Sequence, residues 1–154
     1  MRHLEVQVHT VERDAAEVYA RLCDFERYPE FAAAVKSVHV TAAGNGTTTS
    51  RWEVLFRTGI LRWTEEDHFD ADARTIHFRQ TEGDIDHFSG TWIVHEDATG
   101  NSRVEFSADF DLGIPALASI LEPIAERALR DNIQQILAGL LRATATADRA
   151  AAAD

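Results

Sequence analysis

The hydrophobic period of this chain changes once, and that change decides what it can fold into. Positions 35–41, 48–57, 60–70, 75–81, 86–95 and 103–112 alternate apolar and polar residues and read as strands. Turn signals part them: Gly44-Asn45-Gly46, Thr58-Gly59, Asp70-Ala71-Asp72, Glu82-Gly83-Asp84 and Thr99-Gly100-Asn101. Links this short join antiparallel neighbours, so the middle of the chain reads as a meander. The period then switches. Leu117, Ile120, Leu121, Ile124, Ala128, Leu129, Ile133, Ile136, Leu137 and Leu140 recur at steps of three and four, the pattern of one amphipathic helix over 115–142. Pro115 suits its start, and Pro123 is expected to kink or split it. Upstream, Leu4, Val6 and Val8 alternate as a first strand. Asp14 is a good N-cap for a helix over 15–22, and 25–34 reads as a second short helix with Pro29 in its first turn. The expected fold class is α+β: an antiparallel sheet wrapped around a long C-terminal helix, with two short helices near the N-terminus. A single helix covers one sheet face and leaves room for a cavity. Residues 1–142 form the expected domain, and the Ala-rich stretch 143–154 is expected to fray.

Composition narrows the function. The chain has 154 residues, 45% of them hydrophobic, and a formal net charge of −11. That charge argues against nucleic acid and against anionic membrane surfaces as partners. No apolar run approaches a bilayer span, and the charged, alternating N-terminus does not read as a signal segment, so the expected location is cytoplasmic. The single cysteine, Cys23, sits among Val18, Tyr19 and Leu22 and reads as a small buried hydrophobe. The seven histidines do not fall at metal-ligand spacing, and no glycine-rich phosphate loop is present, so neither metal nor cofactor is expected.

The stretch Trp63-Thr64-Glu65-Glu66-Asp67-His68-Phe69 carries the chemistry. At period two, Trp63, Glu65, Asp67 and Phe69 share one strand face. Neighbouring strands supply matching apolar rows: Trp52, Val54 and Phe56; Ile76, Phe78 and Gln80; Phe88, Gly90, Trp92 and Val94; Val104, Phe106, Ala108 and Phe110. The alternative places Glu65 and Asp67 in water or paired with Arg51, Arg62 or Arg79; the rows point both carboxylates inward. Burying an unpaired carboxylate is costly, so such a pair needs a partner, a shared proton or a wet cavity. Two residues apart on a strand, the two groups lie about 6.5–7 Å apart. In apolar surroundings one holds its proton while the other ionises, which divides acid from base. Trp52, Trp63 and Trp92, with Phe78 and Phe106, either fill the core or line a pocket for a planar ligand. Gln80 is a satisfied core amide or a ligand hydrogen-bonder. Gly90 admits a ligand or marks a bend. Tyr28 is expected at the pocket mouth.

The order of elements, with Tyr28-Pro29-Glu30-Phe31 after the first helix, resembles the START/Bet v 1-like helix-grip superfamily, also called SRPBCC proteins. Trp63-Thr64, then Phe78-Arg79-Gln80 followed by Ser89-Gly90-Thr91-Trp92, and Phe110-Asp111-Leu112 leading to Asn132 resemble single-domain bacterial polyketide aromatase/cyclases of the tetracenomycin and spore-pigment type. The resemblance implies a cavity and a polyketide substrate, free or presented by an acyl carrier protein. It also meets departures. Where those enzymes carry serine and arginine two and four residues after the strand tryptophan, this chain has Glu65 and Asp67, and Val35 stands where the family has tyrosine. The expected function is therefore aldol cyclisation and dehydration of a poly-β-keto intermediate by carboxylate acid/base chemistry. Tyr28, Trp52, Trp63, Phe78, Gln80, Trp92 and Phe106 are the expected substrate contacts. The alternative is a non-catalytic carrier of a quinone or lipid.

Overall fold

The computed structural model describes residues 1–9, 14–42, 47–56, 59–113 and 118–153. Strand β1 (Arg2–His9) precedes helix α1 (Ala15–Leu22) and a 3₁₀ helix (Phe25–Glu30). Then follow β2 (Val35–Ala42), β3 (Thr47–Phe56), β4 (Gly59–Asp70), β5 (Thr75–Gly83), β6 (His87–Glu96), β7 (Ser102–Asp111) and helix α2 (Ala118–Ala153). All seven strands join one antiparallel sheet in the order β1-β7-β6-β5-β4-β3-β2. Six strands thus lie beside their sequence neighbours, and β1 returns to pair with β7. This is the α+β helix-grip architecture. The turn Gly44-Asn45-Gly46, Thr58 of the next turn and the expected helix start at Pro115 lie outside the described residues.

Period two holds across the sheet. Trp52, Ile76, Phe78, Phe88, Trp92, Val94, Val104, Phe106 and Phe110 are buried on one face, which α2 covers with Ile133, Ile136, Leu137 and Leu140. Helix α1 buries Ala15, Val18, Tyr19 and Leu22, and the Tyr19 hydroxyl ties it to the sheet by donating to the Thr75 carbonyl at 3.0 Å. Gly139 lets α2 close on the segment after the 3₁₀ helix: a Cβ there would stand 2.7 Å from Phe31 Cγ.

Three local expectations change. The second short helix is a 3₁₀ helix ending at Glu30, and Pro29 sits near its end, not in its first turn. There the short i→i+3 pattern, seen in Phe31 N–H donating to the Tyr28 carbonyl, tolerates a missing donor. Asp14 occupies the N-cap of α1 without a side-chain capping bond; its carbonyl accepts from Val18 N–H at 3.0 Å. Helix α2 is not split at Pro123, which lies within its second turn, where few intrahelical bonds depend on it. The same helix runs past Arg142 to Ala153.

Candidate active site

Strand β4 delivers both carboxylates to the interior. Glu65 is 4% exposed and Asp67 0%. Register explains the company they keep: Ser50 of β3 pairs with Glu65, and Trp52 pairs with Trp63. Ser50 Oγ donates to Asp67 Oδ2 at 2.5 Å and accepts from Trp52 Nε1 at 2.9 Å. Trp63 Nε1 donates to Glu65 Oε1 at 2.8 Å. Glu65 and Asp67 act on each other's protonation, so the two acids, one serine and two indoles form a single buried polar cluster. Asp67 Oδ1 has no partner among the described residues.

Burial pushes the Glu65 carboxyl well above the usual carboxylate range, and the hydrogen bond and charge of Asp67 push it further. The bond from Trp63 opposes this without cancelling it. Burial also raises Asp67, but its bonds to Glu65 and Ser50 and the field of His68 hold it down. Both carboxyls thus resist ionisation, and the bonds that oppose burial act more strongly on Asp67 than on Glu65.

In front of the pair lies a cavity of about 60 Å³ lined by Glu65, Asn132 and apolar side chains. Its wall is a closed circuit of rings. Tyr28 meets Trp52 at 5.6 Å between centroids, Trp52 stacks on Trp63 at 5.8 Å, and Trp63 meets Phe88 edge-on at 5.5 Å. Phe88 continues to Phe78 at 5.1 Å, Phe78 to Phe106 at 5.7 Å, Phe106 to Trp92 at 4.6 Å, and Trp92 returns to Tyr28 at 6.1 Å. A second chamber, also about 60 Å³, adjoins the first toward Leu55, Phe56 and Leu112; both are lined by Val54, Trp63, Phe88, Leu129 and Asn132. Pockets for drug-sized ligands run to roughly 300–1,000 Å³, so a ligand of several rings must join the two chambers by moving this shared waist.

Of the expected substrate contacts, Tyr28, Trp52, Trp63, Phe78, Trp92 and Phe106 all line the inner chamber. Tyr28 is not at a mouth, however. It is fully buried, and its hydroxyl donates to the Leu22 carbonyl at 2.6 Å, because the 3₁₀ helix turns it under the sheet. Gln80 lines neither chamber. Its Nε2 donates to the Ile85 carbonyl and so braces the β5–β6 turn. At Gly90 a Cβ would strike the Ser107 carbonyl oxygen and lie 2.9 Å from Phe78 Cζ, so its bareness lets β7 and a wall ring approach. Two lining residues were missing from the expected contacts. Phe88 stands on an apolar row already recognised as inward. Asn132 is the polar member of the α2 stripe Leu129, Asn132, Ile133 and Ile136, and an amide at steps of three and four among apolar residues was the available signal.

A family model described as polyketide cyclase / dehydrase and lipid transport matches residues 11–137. No curated protein gives a sequence match. Among solved structures, protein TTHA0849 of Thermus thermophilus is 25% identical with a TM-score of 0.85, over 95% of this chain and 99% of that one. The Zhui aromatase/cyclase of Streptomyces sp. R1128 is 24% identical with a TM-score of 0.77, over 92% and 94%. A START superfamily protein of Mycobacterium smegmatis is 16% identical with a TM-score of 0.77, over 92% and 98%.

Proposed function

Because the chain belongs to the polyketide cyclase/dehydrase and lipid-transport family, we propose that it cyclises and dehydrates a poly-β-keto intermediate, with Glu65 and Asp67 as its acid/base pair. The observation that carries this reading is a buried acid dyad with one member on the wall of an aromatic cavity. Glu65 is that member and touches substrate; Asp67 stands behind it. Passing the Glu65 proton to Asp67 leaves a carboxylate facing the cavity. That carboxylate takes a proton from a methylene flanked by two carbonyls, and the enolate carbon attacks a distant ketone of the same chain. Protonated again, Glu65 gives that proton to the alkoxide formed by the addition. It then takes the remaining hydrogen of the same methylene carbon and passes it to the departing hydroxyl, so that water leaves as the double bond forms and the proton lent to Asp67 returns to Glu65. The Asn132 amide, facing both chambers, is the available donor for a carbonyl oxygen. It offers a donor in a chain that carries Asp67 where the resembling enzymes carry an arginine.

A synthetic poly-β-keto thioester, followed by the absorbance of its aromatic product, tests the proposal. Glu65→Gln keeps shape and removes titration, and its rate should fall roughly 10²-fold or more, the scale of a positioned general base. Asp67→Asn should displace the pH profile as well as lower the rate. A Glu65→Gln/Asp67→Asn double variant cyclising at the wild-type rate would leave a binding scaffold. The carrier reading would then stand, and the apolar wall of the cavity already favours it.

A further inference from the structure

Apart from the Asn132 amide, which lines both chambers, the charge turned toward the cavity has one sign. The inner chamber has Glu65 in its wall, with Asp67 bonded behind it. Asp67 is fully buried, with one oxygen unpartnered among the described residues. The remaining wall is largely the closed circuit of seven rings, which includes all three tryptophans. Ring faces carry negative partial charge and attract cations. Among the described residues, no lysine, arginine or histidine lines either chamber. The wall donors are also spent. Tyr28 gives its hydroxyl proton to Leu22, Trp63 its N–H to Glu65, and Trp52 its N–H to Ser50. What the inner end offers an incoming head group is acceptor lone pairs and π-faces, with the Asn132 amide across the waist. The outer chamber is apolar apart from the same Asn132.

We infer that this cavity selects an apolar molecule whose inner end is a hydrogen-bond donor without negative charge, a hydroxyl, enol or ammonium, and that it turns away carboxylates. The inference rests on the reading that this cavity is the ligand site, and it names the class of ligand. An anion placed there would be buried beside a second anion with no countercharge, the arrangement that makes desolvation most costly. A donor head completes the acceptors that the fold leaves open. A polyketide must then enter with any acid end esterified or held outside, and free fatty acids are excluded as cargo.

Three probes with one aromatic body test this: 2-naphthol, 2-naphthylmethylamine and 2-naphthoate, titrated into the wild-type protein at pH 7 by calorimetry. Both donor-headed probes should bind at least about 10-fold tighter than naphthoate, since specificity here comes from an unpaired buried charge. Naphthol ahead of the amine assigns a hydroxyl or enol head, and the reverse order an ammonium; either order supports the inference. Glu65→Gln, which offers an N–H₂ donor in the same place, should narrow or invert the preference against naphthoate. Naphthoate binding as tightly as naphthol, or no binding of any probe, overturns the inference. Should the variant fail to fold, the wild-type ranking decides alone. That ranking is independent of turnover, so unchanged cyclisation in the double amide variant would remove the cyclase reading without touching it.

Discussion

Replacing Ser50 with alanine removes one oxygen from the interior and unsettles two partners at once. Ser50 is 0% exposed, donates to Asp67 Oδ2 at 2.5 Å and accepts from Trp52 Nε1 at 2.9 Å. A hydrogen bond to a charged group contributes about 1.5–3 kcal/mol, and a buried donor left alone costs about 1–3 kcal/mol. Ser50→Ala should therefore destabilise the fold by about 3–5 kcal/mol at pH 7, because Asp67 Oδ1 is already unpartnered and cannot compensate. The cost should depend on pH, with a definite sign. The Ser50 bond favours ionised Asp67, so its loss raises the Asp67 carboxyl further. A carboxyl whose folded value lies above its unfolded one contributes stability at low pH that is lost as pH rises through the folded value. The gap between wild type and variant should thus fall near pH 4 to the cost of the unpaired Trp52 N–H alone and widen toward pH 7. Urea unfolding followed by tryptophan fluorescence at both pH values measures it. A cost below about 1 kcal/mol at pH 7, or an equal cost at both pH values, would refute the network as described, because a charge-assisted bond must matter more when the acid is charged.

Glu65→Gln should flatten the dependence of stability on pH. With its folded value raised, wild-type Glu65 weakens the fold progressively above about pH 4.5, its ordinary value, so the variant should gain on wild type as pH rises in thermal melts run from pH 4 upward. Gly139→Ala should lower stability even though alanine favours a helix by about 1 kcal/mol, because overpacking against Phe31 costs about 1–3 kcal/mol; a rise in Tm would show that α2 does not close there. Burial raises the Cys23 thiol to about 11, so its alkylation by iodoacetamide at pH 8 should be far slower than that of a free thiol, and labelling at the free-thiol rate would contradict its half-buried position.

The sequence by itself determined the sheet. Strand period is local, and each link in the meander is short, so reading one inward row fixes the next by pairing; Trp52, Phe78, Trp92 and Phe106 all arrive on the predicted face. For the same reason Glu65 and Asp67 could be placed inside before any fold was known: they alternate with Trp63 and Phe69, and alternation does not depend on distant contacts. The helix stripe from Leu129 to Leu140 was equally plain. Tertiary structure decided what those faces do together. Tyr28 lies in a segment without a sustained period, so only packing could show that it points under the sheet and gives its hydroxyl to Leu22. Gln80 shares an inward row with Phe78, yet its amide turns to the Ile85 carbonyl, because a long side chain near a turn follows the nearest acceptor. The ring circuit draws on the 3₁₀ helix and five strands, and the hydrogen bond that Asp67 accepts comes from Ser50 on another strand. Such groups meet through contacts distant in sequence, and a linear pattern carries direction along a strand but not the depth or the partner at which a side chain comes to rest.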